Sequence, residues 1–77
     1  MNKYILLVMK WLDDKDSVSQ EELEKNKNEA YVAARAVAAA ADCAAYDDAA
    51  AYAEYWVKEY FEETGESRNE YLKELEK

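Results

Sequence analysis

The chain has 77 residues, a net charge of -8, a single cysteine, and neither histidine nor proline. That length fits one domain, 1–77, whose core is marginal by itself, so oligomerisation is an expected support. The charge argues against direct contact with nucleic acid or an anionic membrane surface, and the lack of histidine excludes Ser-His and Cys-His nucleophiles and histidine metal sites.

Near the N-terminus, Tyr4, Ile5, Val8, Trp11 and Leu12 fall at helical spacing. A lone strand there would have no partner for its backbone, so the spacing predicts a helix over 3–13. The apolar run "YILLVM" is too short to span a bilayer, and no signal-peptide cleavage pattern follows it. The expected location is the cytoplasm, that of the host cell if the protein is viral.

"DDKDSVSQEEL" reads as a stop and a restart. Ser19 and Glu22 form an S-x-x-E capping box, and Val18 and Leu23 stand where a hydrophobic staple would place them. From there no glycine or proline interrupts the chain until Gly65, which suits the left-handed residue after a helix. Asn26, Asn28, Asp47 and Asp48 weaken the helix only slightly. Ser67 and Glu70 repeat the capping pattern and open a last helix through about residue 76. The fold class is therefore all-α: a short N-terminal helix, one long Ala-rich central helix, and a short C-terminal helix, joined as a helical-bundle or coiled-coil-like homo-oligomer.

The stretch 30–56 contains 14 alanines in 27 positions. As one helix, 20–64 would be roughly 67 Å long at 1.5 Å per residue, far beyond the radius of gyration of about 11–12 Å expected for a compact chain of this size. The bulky residues cluster at its two ends. Tyr4, Ile5, Leu7, Val8, Trp11 and Leu12 gather with Leu23, Tyr31 and Val32. Tyr52, Tyr55, Trp56, Val57, Tyr60 and Phe61 gather with Tyr71, Leu72 and Leu75. The bare middle suggests a second copy lying alongside, with Ala30, Ala34, Ala38, Ala41, Ala45 and Ala49 as the self-association stripe. The alternative is a bend near Asp47–Asp48 that packs the alanines inside one chain.

Chemistry-bearing motifs are scarce. Cys43 has no basic neighbour one helical turn away and reads as a small apolar filler. One glycine cannot make a phosphate-binding loop. No catalytic, cofactor-binding or metal residue is assigned, and the enzyme class is disfavoured. The aromatic run "YAEYWVKEYF" at 52–61 is the richest binding surface, because tyrosine and tryptophan are typical interface anchors. Its candidate partner-binding residues are Tyr52, Tyr55, Trp56, Tyr60 and Phe61. The simpler reading, favoured over a partner site, makes Tyr52, Trp56 and Tyr60 core beneath the last helix and leaves Tyr55 and Phe61, on other sides of the helix, as exposed contacts.

"YILLVMKWLDDKDSVSQEEL", the Ala/Asp/Tyr middle and "YFEETGESRNEYLKELE" together resemble small Ala-rich accessory proteins encoded by tailed bacteriophages. The resemblance is motif-like at the ends and compositional in the middle. It implies an accessory protein made inside an infected bacterium and brings no assigned activity. The expected role is binding or inhibiting a bacterial host factor, such as a defence system, by protein–protein contact. The alternatives are an acidic DNA mimic and a purely structural assembly protein.

Overall fold

A computed structural model describes residues 1–46 and 49–77. Among these, the chain forms five α-helices and no strand: α1 Lys3–Asp13, α2 Gln20–Ala30, α3 Arg35–Ala44, α4 Ala50–Thr64 and α5 Arg68–Leu75, with a 3-10 turn at Lys15–Ser17 between α1 and α2. The radius of gyration is 11.1 Å and the longest dimension 28 Å.

The first helix matches its expected bounds. It is also capped by a residue the periodicity did not flag: the side chain of Asn2 accepts from the backbone N–H of Tyr4 and Ile5. At the start of α2 the Ser19 hydroxyl accepts from the Glu22 N–H and the Glu22 carboxylate accepts from the Ser19 N–H, completing the capping box. Val18 and Leu23 are both buried there. Gly65 ends α4 at φ 73, and its N–H donates to the Phe61 carbonyl. Ser67 is the N-cap of α5, but its side chain makes no capping bond.

The long central helix does not exist as one piece. Residues 20–64 form three helices, α2, α3 and α4, and α3 packs more extensively on α4 than any other pair in the molecule. The bend anticipated at Asp47–Asp48 lies outside the described residues. The first break falls at Tyr31–Ala34, where the Ala33 N–H closes a turn on the Ala30 carbonyl at 2.9 Å. No local breaker is present, and Ala34, the N-cap of α3, supplies no side-chain cap. Tertiary burial decides the outcome. Folding back places Ala36, Val37, Ala40, Ala41 and Ala44 in the core beside Ala53 and Val57. Each buried methyl-sized group contributes about 0.8 kcal/mol, while helix propensities of ordinary residues differ by at most about 0.7 kcal/mol.

Polar bonds hold the turns in place. Asn26, the one buried polar residue among the described residues, donates from Nδ2 to the Tyr4 carbonyl at 3.4 Å, tying α2 to α1. The Gln20 amide donates to the Ala45 carbonyl at 2.5 Å, tying the start of α2 to the end of α3. The two bulky clusters foreseen at opposite ends of a rod merge into one core, with Ile5, Val8 and Trp11 in the same cluster as Val57, Tyr60 and Tyr71.

The alanine stripe expected to meet a second copy is dispersed by this folding. Ala30 and Ala41 are fully buried inside one chain and Ala45 is nearly so; Ala38 and Ala49 are half-buried, and Ala34 is exposed as the α3 N-cap. These six no longer share a face. Ala41→Arg should therefore abolish the folded monomer, since it places an unpaired charge in a closed core. Ala40→Leu should cost about 1–3 kcal/mol by overpacking, a drop in Tm of several degrees for each kcal/mol. Thermal unfolding followed by circular dichroism checks both.

Candidate functional site

The helical layout sorts the aromatic run 52–61 by face. Ala53, Val57 and Tyr60 recur along the inner face of α4 and are buried. Tyr52 and Tyr55 point outward, 67% and 52% exposed. Trp56 is half-buried, with the Arg35 guanidinium 5.4 Å over its ring and Tyr55 edge-on at 5.1 Å. Phe61, foreseen as a possible exposed contact, lies half-buried edge-on to Tyr71 at 4.9 Å. Of the five partner-binding candidates, the structure thus presents Tyr52, Tyr55 and part of Trp56 together, around a shallow depression of about 460 Å³ completed by Ala51. Tyr60 and Phe61 belong to the packing of α5.

Other exposed aromatics were missed. Tyr31 and Val32, expected to cluster with the bulky residues of α1, stand 81% and 88% exposed in the α2–α3 turn. Tyr46, 54% exposed after α3, carries the Lys27 ammonium 5.9 Å over its ring. A second shallow groove, about 670 Å³, runs between α2 and α3 and is lined by Lys27, Asn28, Tyr31, Arg35, Ala38, Ala39 and Asp42. Arg35 borders this groove and also covers Trp56, so the two depressions are neighbours. The only signal for this surface was the aromatic residues flanking the alanine run, which a continuous helix would have placed elsewhere.

The other concentrated polar feature is a clasp at the C-terminal end. The Tyr71 hydroxyl donates to Glu66 Oε1 at 2.5 Å and the Tyr60 hydroxyl donates to Glu66 Oε2 at 2.7 Å. Tyr71 also accepts from the Asn2 N–H at 2.7 Å. Each phenol has one hydrogen, and both are directed at the carboxylate, so the 3.3 Å approach of the two hydroxyl oxygens is a close contact. Glu66 is held below the usual carboxylate range, first by the Tyr71 hydrogen bond and then by that of Tyr60. Both phenols are pushed up, chiefly by burial. Raised phenols bordering an exposed carboxylate serve as neutral donors. The clasp joins the start of α1 to α5 and does not form an acid–base pair over a cavity.

Cys43 is half-buried, and its thiol is raised by burial and then by Asp42, which keeps it protonated and weakly nucleophilic. Among the described residues no group of three or more Cys, Asp or Glu side chains could hold a metal ion. Nor is any described helix long and apolar enough to cross a membrane. No protein-family model matches the chain, and neither a curated protein nor a solved structure matches it.

The clasp sets a pH window. The depressed Glu66 adds stability that is fully present above the unfolded carboxylate value of about 4.3 and is lost as pH falls below it. The raised tyrosines add stability that is fully present below about pH 10 and is lost as pH rises past it. Urea midpoints measured across pH should fall at both ends. Tyr71→Phe should cost about 1–2 kcal/mol at neutral pH and flatten both limbs.

Proposed function

We propose that the protein is a non-enzymatic accessory protein of a bacteriophage that acts by protein–protein contact, binding or inhibiting a bacterial host factor such as a component of a defence system, in the host cytoplasm. The observation that supports this reading most is the outward placement of Tyr52 and Tyr55 beside Trp56 and Arg35 on a compact acidic molecule. Tyrosine, tryptophan and arginine are the residues that most often dominate interface energetics. Shallow open depressions suit another protein's surface better than a small molecule, which typically buries most of its area in a deep cleft.

A DNA mimic is the second reading, and the net charge of -8 favours it. Residues 29–77 hold 12 acidic groups against 5 basic ones. Arg35, Lys58, Arg68, Lys73 and Lys77 interrupt that surface, and Arg68 is paired with Glu54 at 2.7 Å. A structural assembly role is the third reading.

Immobilised protein exposed to bacterial lysate separates these readings. A host protein should be retained by the wild type and lost with Tyr52→Ala/Tyr55→Ala, a pair of exposed changes that should leave the circular dichroism spectrum intact. Loss of both tyrosines should weaken binding by about 2 kcal/mol or more. Capture unaffected by the double change would remove this surface from the proposal. Affinity that falls steeply with rising salt would favour the mimic.

A further inference from the structure

The outer face of α3 carries an arrangement its own helix does not account for. Arg35 is the first residue of α3 and Asp42 lies in its last turn. A helix dipole favours acids at the start and bases at the end, so both charges sit at the unfavourable pole. Both are exposed, and among the described residues neither has an ion-pair partner. The Arg35 guanidinium lies over Trp56, and the Lys27 ammonium lies over Tyr46 rather than against Asp42.

Seven residues are two helical turns, so Arg35 and Asp42 share one face, with half-buried Ala38 and Ala39 between them. All four line the same groove as Tyr31, and Tyr46 stands at its other end beside Lys27. Along α3 the pairs Arg35 with Asp42 and Ala38 with Ala39 have a common midpoint between Ala38 and Ala39. A surface with that property is complementary to itself after a twofold rotation.

We propose that a second copy of this chain docks here, α3 against α3 antiparallel, with Arg35 of each protomer on Asp42 of the other. Each charge then faces the favourable end of the partner's helix dipole. The alanines let the axes approach toward the short end of the usual 8–10 Å range. Tyr31, Val32 and Tyr46 stand largely exposed at the margins of this face. Tyr52 and Tyr55 stay outside the contact, so the inference does not depend on a host partner.

Charge exchange tests it. Sedimentation equilibrium of the wild type should give twice 8.9 kDa. Arg35→Asp and Asp42→Arg each place like charges at both ends of the contact and should weaken the dimer by roughly tenfold or more. Each also corrects the charge-to-dipole mismatch in its own helix, and the monomer should keep its circular dichroism spectrum, while Arg35→Asp also gives up the contact with Trp56. The double variant Arg35→Asp/Asp42→Arg restores the pairing and should recover the dimer. A wild-type mass of 8.9 kDa up to millimolar concentration, a dimer indifferent to the single exchanges, or a double variant that stays monomeric would each overturn the proposal.

Discussion

Close contact between α3 and α4 through alanine is the constraint on which this molecule depends. With Ala36, Ala40, Ala41 and Ala44 on one helix and Ala53 on the other, the backbones can approach closely, and little side-chain entropy is lost on burial. Alanine provides little apolar area, however. Ile5 and Val8 of α1 and Leu23 of α2 therefore cover the helical pair, which adds Val37 and Val57 of its own, and each is almost fully buried. Because the hairpin is thin, α1 can touch α3, α4 and α5 at once. A 77-residue chain thus closes one shared core instead of two separate ones.

The C-terminal helix is attached differently. Only Tyr71 of α5 is buried, and Leu72 is exposed. Its attachment relies on directional bonds, through a carboxylate that accepts from two phenols and a backbone N–H that donates to one of them. Edge-on aromatic contacts of Tyr60 and Phe61 with Tyr71 complete the joint. Geometry here replaces area, which suits a helix of eight residues that has little area to bury.

What remains outside is unusual for so small a protein. Exposed tyrosines stand on α4 and at both ends of α3, while their aromatic neighbours serve as core or joint. Arg35 links the two regions, one face on Trp56 and the other toward the α3 groove. The contact proposed on α4 and the self-contact proposed on α3 therefore share Arg35 at their border.

Local signals in the sequence determined the helical class, the bounds of α1, the capped start of α2 and the glycine stop of α4, because caps, periodicity and left-handed residues act within a turn or two. Those signals also made Tyr52 and Tyr55 visible as candidates. Tertiary structure alone decided where the central segment breaks, and hence that Ala30 and Ala41 are core while Tyr31 and Val32 are surface. Alanine tolerates a continuous helix and a tight hairpin almost equally, so nothing local distinguished the two. The choice rests on the apolar area that α1 and α4 offer across the chain, a quantity defined only once distant segments meet.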